Sequence, residues 1–599
     1  MQSILNCRKL KFKLKMANTI LDVITEGLNK SQNEVCFSKK KHGEWVNFTK
    51  KDYLEISNNI AYALLKNGVQ KGDNVIIASE NNPEWNYADM ALLKLGAVSV
   101  PVYATISDAQ LEIILQETEA KIAFVSNKYL NRKIKSIADK LGILIKTYSF
   151  ENIEGEENIY ELADFGKANQ NPSKLEEIKN GINENEIYSI LYTSGTTGHP
   201  KGVMLSHKSH LIVIRDAVER TNVQDEFRTI LYLPLNNSFG RTINYVSQIV
   251  GMTACYVNGI AKLQQAIADV KPNFMATAPL LLERIMMAAL QTGESLTGEI
   301  KEKFETAKQV IDNYEYGEEF YQTPEYKQSY ELFYSKWKNF LGGEMITLLA
   351  GGALVSTKVH NFFRALGMNV LSGYGLTETS GVISVDRFDK KTKPGFCGQH
   401  ITGMEIKISD EGEILAKGDN LMQGYYKHPE ITEKTIDTEG WIHTGDLGEL
   451  DEEGYLSIKG RVKSTFKLIS GDFVYPETLE EKLKKYNYIG QVIVAGLGKE
   501  FVSALIVPNF EAIKEWAKLE NIKLETPEEI INNKKVISLF DEILKQYNNI
   551  SLNVGQRVEK IKLLTDQWSI ETGEITPTMK IRRNFILDKY KNEIEELYK

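Results

Sequence analysis

Between Tyr53 and Val125 the apolar positions change period several times. Leu54, Ile56, Ile60, Ala61, Leu64 and Leu65 share one side of a 3.6-residue repeat and predict a helix. Asn74–Ala78 (Asn-Val-Ile-Ile-Ala) is a short unbroken apolar run, as expected of a strand covered on both faces. Pro83–Leu95 returns to helical spacing, 97–102 reads as a strand entered after Gly96, and 121–125 as another. Such alternation predicts a parallel sheet covered by helices, an α/β fold. The same rhythm recurs at 229–233, 253–257, Phe274–Thr277 and 345–350.

Residues 291–341 break this pattern. They are rich in Glu, Lys and Tyr (Tyr314, Tyr316, Tyr321, Tyr326, Tyr330, Tyr334), with helical spacing and little β-branched content. A helical insertion with a solvated charged face is expected, its tyrosines used for packing. From Ile401 short strands alternate with glycine turns, at 405–408, 413–416, 447–450 and 455–458. Beyond Gly460-Arg461 comes a smaller α+β pattern, with a helix at 477–486, strands at 491–495 and 503–507, and helices at Phe510–Leu519 and 527–547. The expected division is a basic tail over 1–16, a large domain over 17–460 and a small one over 461–599.

A chain of 599 residues exceeds what one core serves, which agrees with that division. Its 42% hydrophobic and 25% charged residues are ordinary for a soluble globular protein, and a net charge of −8 argues against a general nucleic-acid binder. Cys7, Cys36, Cys255 and Cys397 are too scattered for a disulfide framework or a zinc site, so a reducing cytoplasm is expected. The segment Arg8-Lys-Leu-Lys-Phe-Lys-Leu-Lys15 alternates cations with apolar residues, and no apolar run follows it. It reads as a disordered or non-native tail, with an anionic membrane surface as the other reading, and not as a secretory signal. The stretch 274–290 is apolar but interrupted by Glu283 and Arg284, and is expected as a buried helix rather than a membrane span.

The chemistry concentrates first at Tyr192-Thr-Ser-Gly-Thr-Thr-Gly-His-Pro-Lys-Gly-Val203. Small residues let backbone N–H groups approach phosphate oxygens, hydroxyls add donors, and Lys201 supplies a positive charge. This reads as a nucleotide-phosphate loop made by Thr193, Ser194, Gly195, Thr196, Thr197, Gly198 and Lys201. It is not a Walker A loop, because Lys201 is followed by Gly202. Gly/Ser/Thr clusters are also ordinary surface loops, so the segments downstream decide. In order they are Ala350-Gly-Gly-Ala353, Gly373-Tyr-Gly-Leu-Thr-Glu-Thr379, Gly440-Trp-Ile-His-Thr-Gly-Asp446, Ile458-Lys-Gly-Arg461 and Thr576-Pro-Thr-Met-Lys580.

Together these segments resemble the adenylate-forming superfamily of acyl-CoA synthetases, firefly-type luciferases and peptide-synthetase adenylation domains. The likeness spans nearly the whole chain from about residue 20. Within that superfamily the chain looks like the long-chain fatty acid–CoA ligases, through the insertion at 291–341, the Thr576–Arg583 ending and the Leu233-Pro-Leu-Asn-Asn-Ser-Phe-Gly-Arg241 segment. The resemblance implies two helix-covered sheets and a β-barrel-like subdomain in the large domain, and a small mobile α+β domain. It implies ATP, Mg²⁺ and CoA as cofactors, a fatty acid as substrate, and no nucleic acid. The expected setting is cytoplasmic, with peripheral contact at the inner membrane face as a further option. Oligomeric state stays open, a dimer among the options.

Particular roles follow from the resemblance. Lys201 and the loop would hold the β- and γ-phosphates, and Glu378 with Thr193 would hold Mg²⁺ as hard oxygen ligands. Tyr374 offers a ring face to adenine, with Gly351, Gly352 and Ala353 leaving room opposite and Gly373, Gly375 and Thr377 lining the same turn. Asp446 would accept both ribose hydroxyls, and Ile458 and Arg461 would approach the ribose and phosphate end. Lys580 would bridge the fatty carboxylate and the α-phosphate during adenylation. A hinge is implied at Lys463, followed by Ser464 where an acid is common, and would bring Ile469-Ser-Gly-Asp472 beside the pantetheine. Two positions depart from the pattern. Asn237 stands where relatives usually have His, and Leu280 where an Arg is frequent, which leaves the acyl pocket's electrostatics and chain-length preference open. The competing readings are a fatty acyl-AMP ligase serving a carrier protein, a non-catalytic acyl or adenylate binder, and a phosphate-releasing NTPase.

Overall fold

The computed structural model describes residues 18–194, 199–293, 295–550, 555, 557–569, 572–575 and 581–599. The expectations for the tail 1–16, for Gly195, Thr196, Thr197 and Gly198, and for Lys580 lie outside them. The chain forms two compact units. The first comprises residues up to Ile406 with Ala416–Ile442 and Leu450–Ser457; the second comprises Lys407–Leu415, His443–Glu449 and Ile458–Lys599.

Two sheets dominate the first unit. One has six strands, in the order Lys146–Ser149, Ile122–Val125, Asn74–Ala78, Val98–Val102, Ile187–Ser194 and Pro200–Ser206. The first five run parallel, and the last closes an antiparallel hairpin. The other has nine strands, with Asn369–Tyr374, Thr347–Gly351, Phe274–Thr277, Arg228–Leu231 and Thr253–Tyr256 as its parallel centre. The unbroken apolar runs follow from burial on both faces. Val75 and Ile77 enter one core and Ile76 and Ala78 another, while Phe274 and Ala276 of the second sheet join the first of these cores.

The helices obey their local signals. Thr49 and Asp52 form a capping box at the start of Lys50–Lys66, and Pro83 opens Pro83–Leu95, which Gly96 ends in the left-handed conformation. Lys50–Lys66 buries more than the apolar stripe suggests, taking in Tyr53, Ser57 and Asn59. The helix Ile159–Ala168 lies against it so closely that a Cβ on Gly166 would sit 1.8 Å from the Asn59 carbonyl oxygen.

At the centre of this unit Arg241 is completely buried. Its guanidinium pairs with Asp89 and donates to Tyr245 Oη (2.9 Å), Ser99 Oγ (2.7 Å) and Ser189 Oγ (2.5 Å). One side chain thus joins the helices Pro83–Leu95 and Ser238–Val250 to two strands of the six-stranded sheet. Burial disfavours both charges; the pairing and the surrounding hydroxyls offset that cost.

Two expectations are corrected. The stretch 274–290 is not one buried helix. Pro279 lacks an amide hydrogen and drives Ala278 to extended backbone, so a buried strand ends at Thr277 and a helix begins. That helix, Pro279–Gln291, buries only Pro279, Leu282 and Met286, and Leu280 is 42% exposed. No helix among the described residues is long and apolar enough to cross a membrane. The helix expected over 527–547 is two, Pro527–Asn532 and Lys534–Ile550, separated by Asn533 in extended backbone.

The insertion is helical, with Gly298–Asp312, Pro324–Ser329 and a π-helical turn at Tyr330–Tyr334. Its tyrosines pack and anchor: Tyr321, Tyr326 and Tyr334 donate to the carbonyls of Arg364 (3.1 Å), Ala365 (3.0 Å) and Ala307 (2.5 Å). The barrel-like part expected after Ile401 takes the form of a four-stranded sheet ordered Met404–Ile408, Glu413–Gly418, Ile442–Leu450, Leu456–Arg461. The second unit has its own core around the strands Ile489–Ala495, Val502–Pro508 and Val558–Leu563.

Lys94, only 4% exposed, sits in the core with its ammonium 2.9 Å from Ser57 Oγ. Burial, helped by Lys179, brings its pKa down to about 7. The unfolded chain therefore binds an extra proton between about pH 7 and the ordinary lysine value, and folding stability rises with pH across that window. Lys94→Met should stabilise the protein at pH 7 by a few kcal/mol, on the order of the linkage free energy, and flatten the rise between about pH 7 and 10. Urea denaturation at several pH values checks this; an unchanged slope would contradict it.

Candidate active site

The hairpin Ile187–Ser194/Pro200–Ser206 carries the loop motif at its tip. Its register sets Thr193 opposite Lys201 and Tyr192 opposite Gly202. A Cβ at Gly202 would lie 2.8 Å from Ile190 and 3.0 Å from the Tyr192 ring. That crowding explains why the residue after Lys201 is glycine and not the hydroxyl residue of a Walker loop.

A second group gathers at the carboxyl ends of two neighbouring parallel strands, where ligands of open α/β sheets bind. Gly351 ends Thr347–Gly351 and is paired with Gly373 of Asn369–Tyr374, so Gly352 and Ala353 leave one strand where Tyr374 ends its neighbour and Gly375 and Thr377 follow. Gly375 cannot be otherwise: a Cβ there would meet the Gly381 carbonyl oxygen at 2.4 Å. Glu378 lies in the short 3₁₀ turn Thr377–Thr379, half-buried.

These two groups are stitched together by residues 420–426, which the sequence reading passed over. Tyr426 N–H donates to the Gly202 carbonyl (2.7 Å), Met204 N–H to Gly424 (3.0 Å) and Gln423 N–H to Met204 (2.9 Å). Toward the other group, Met422 N–H donates to the Glu378 carbonyl (2.8 Å). The buried Asn420 amide donates to the carbonyls of Thr379 (3.0 Å) and Val382 (2.9 Å), and Ser380 Oγ donates to the Asn420 carbonyl (2.9 Å). Between the two ends stands Tyr425. Its hydroxyl donates to Glu378 Oε1 at 2.8 Å, and the Lys201 ammonium lies 5.1 Å from its ring centre. Burial first, then the Glu378 charge, raises the Tyr425 pKa, so the hydroxyl stays a donor.

The outer end of the splint is tied as well. Tyr192 Oη donates to Glu117 (2.7 Å), whose other oxygen is 3.0 Å from His428 Nε2; that contact raises the His428 pKa. The signal available in the sequence was Gly424-Tyr-Tyr-Lys-His-Pro429, a glycine and a polar aromatic pair just before a proline-initiated helix.

Asn237 caps the helix Ser238–Val250, its side chain accepting from Phe239 N–H (2.9 Å). The Tyr103 hydroxyl bonds to it, and burial pushes that phenol up to about 12. Leu280 is exposed at the first turn of Pro279–Gln291.

In the second unit Asp446, almost fully buried, accepts from Arg461 Nε at 3.0 Å. Its backbone is set by Thr444, whose hydroxyl accepts from Asp446 N–H (3.1 Å), and by Gly445, at φ +70°, whose N–H donates to Glu413 (2.8 Å). Ile458 and Arg461 share the strand Leu456–Arg461. Lys463 is exposed, and the hairpin Phe466–Lys467/Phe473–Val474 presents Ile469 and Phe473 to solvent.

Glu378 and Thr193 offer a carboxylate and a hydroxyl. That set fits a small hard cation, which takes one or two protein oxygens and fills its shell with phosphate oxygens and water. Among the described residues no group of three or more His, Cys, Asp or Glu could cage a metal.

The chain belongs to the AMP-binding enzyme family: that family's model matches residues 25–426, and the model of the AMP-binding enzyme C-terminal domain matches 463–599. Among curated proteins it is 29% identical to a long-chain-fatty-acid–CoA ligase of Mycobacterium bovis over 572 residues, 94% of each chain. It is 28% identical to a long chain acyl-CoA synthetase of Arabidopsis thaliana, over 96% of this chain and 91% of that one. Its fold is that of an anthranilate CoA ligase solved with anthranoyl-AMP (TM-score 0.72, 19% identity, 96% and 98% covered). It is likewise that of the adenylation domain of a Mycobacterium chelonae carboxylate reductase (TM-score 0.76, 20% identity, 99% and 93% covered).

Asn420→Ala would remove both amide donors, from the buried Thr379 carbonyl and from the half-buried Val382 carbonyl. It should cost about 1–3 kcal/mol of stability, read from urea denaturation; a loss within error would mean the turn holds itself.

Proposed function

We propose that this chain activates a fatty acid in two steps, as an AMP-forming fatty acid–CoA ligase. The observation that carries the reading is the scaffold on which residues 420–426 hold Lys201 and Glu378, at one edge of the strand ends bearing Tyr374. The named relatives support the acyl and thiol substrates.

In the first step a carboxylate oxygen attacks the α-phosphorus of ATP. The bond to the bridging β-phosphate oxygen breaks, and pyrophosphate leaves. Both reactants are anions, so the protein's task is neutralisation and positioning. Lys201 and the loop would hold the β- and γ-phosphates, and Glu378 and Thr193 would be the oxygen ligands of Mg²⁺. When bound, the ion spreads the negative charge of the polyphosphate. Tyr374 stacks on adenine, the pair of glycines at 351 and 352 keeps the slot open, and Asp446 receives the ribose hydroxyls while Arg461 orients it. Lys580 is the cation that would neutralise the carboxylate and α-phosphate oxygens. In the second step the CoA sulfur attacks the acyl carbonyl and AMP departs with the electron pair. Lys463 is the hinge that exchanges Lys580 for the segment Ile469–Asp472. Asn237 serves the acyl carboxylate as a neutral hydrogen-bonding group in place of a titratable imidazole.

A carboxylate panel from acetate to oleate, read by pyrophosphate release with and without CoA, tests the reading. Long chains should release pyrophosphate and give thioester. Acyl-AMP without thioester would point to a carrier thiol, and orthophosphate as first product would overturn the proposal. Lys580→Ala should lower adenylation by about 100-fold or more while leaving thioester formation from supplied acyl-AMP; loss of both would contradict two separate states. Glu378→Gln should lower kcat/KM for Mg·ATP about 100-fold and change fatty acid binding little; equal losses would refute the metal role.

A further inference from the structure

Lys201 and Glu378 carry opposite charges and both reach Tyr425, yet among the described residues no ion pair joins them. A phenol lies against both, its hydroxyl on the carboxylate and its ring under the ammonium. Its hydroxyl donates to Glu378 Oε1 at 2.8 Å and has Thr435 as a second hydrogen-bonding neighbour, and its ring takes the Lys201 ammonium at 5.1 Å. Tyr425 itself is fixed from three sides. Its N–H donates to Thr432 Oγ1 at 2.8 Å, its backbone bridges to Val203, and Gly424 and Tyr426 bond to the strand that carries Lys201.

We propose that Tyr425 is a positioning residue for the polyphosphate and its cation. It aims the Glu378 carboxylate and shelves Lys201, and it keeps the two from neutralising each other before the nucleotide arrives. This rests on the ATP-dependent reading above and adds a residue to it. The physical logic is one of support kept through binding. An ammonium over an aromatic face still has N–H groups to offer a phosphate, and a hydrogen bond held on Oε1 leaves the other carboxylate oxygen for a divalent ion, whereas a closed lysine–glutamate pair would have to be broken by both at once. A phenol does both jobs. Phenylalanine keeps the shelf and loses the aim; leucine loses both.

Calorimetric titration of the full chain with ATP, in Mg²⁺ and in excess EDTA, separates these roles without turnover. Tyr425→Phe should raise the Kd for Mg·ATP about tenfold, the loss of one hydrogen bond to a charged group, and alter metal-free ATP by less than about twofold. Tyr425→Leu should weaken both forms. In a Glu378→Gln background the Phe substitution should have no further effect on Mg·ATP. Three results would each overturn the positioning role: Tyr425→Phe binding both forms like the native chain, losing both equally, or keeping its effect in the Glu378→Gln background. If the native chain bound neither form of ATP, the ATP-dependent reading would fall, and this inference with it. Normal native binding with an unaffected Phe variant would remove this inference alone.

Discussion

The fold depends at its working edge on a short run of backbone hydrogen bonds between segments far apart in sequence. Residues 420–426 bond to Gly202 and Met204 on one side and to Glu378, Thr379 and Val382 on the other. The strand Pro200–Ser206 edges the six-stranded sheet, and the 3₁₀ turn Thr377–Thr379 follows a strand of the nine-stranded one. Joined by a third strand-like segment with a buried asparagine, they become one scaffold. Groups of opposite charge can then be held near each other without collapsing together.

Behind this edge the sheets supply a rigid base. Arg241 and Asp89, buried with Tyr245, Ser99 and Ser189, tie the strand that runs into Thr193 to the helix that Asn237 caps. A buried ion pair is weak evidence for net stability, but leaving either charge alone there would be costly. The arrangement therefore fixes register between two elements that approach the site from different directions. The second unit solves its part differently, presenting Asp446 on a turn shaped by Gly445 and holding its carboxylate with Arg461.

Much of this was legible in the chain. Unbroken apolar runs at Asn74–Ala78 and Phe274–Thr277 announced doubly covered parallel strands, because that burial leaves no polar alternation to mislead. The motif at 192–203 declared itself by small and hydroxyl residues around one lysine, and Tyr374 and Glu378 by their place after a short strand. Periodicity did less well where proline or asparagine cuts an apolar stretch, as at Pro279 and Asn533, since hydrophobic content persists across a break in backbone geometry. The splint was invisible for another reason. Its work is done by main-chain groups and by Tyr425 and Asn420, residues that carry no charge and follow no repeat. Only the pairing of strands separated by some two hundred residues reveals them.

The central claim is that Lys201 and Glu378, brought to one scaffold by residues 420–426, share a single polyphosphate. A crystal structure of the chain with Mg²⁺ and a non-hydrolysable ATP analogue measures this directly. The account predicts a metal at about 2.0–2.1 Å from the Glu378 carboxylate, with the Lys201 ammonium on a β- or γ-phosphate oxygen of the same nucleotide. A nucleotide bound elsewhere, or bound here with the carboxylate still turned to Tyr425 and no metal beside it, would contradict the account.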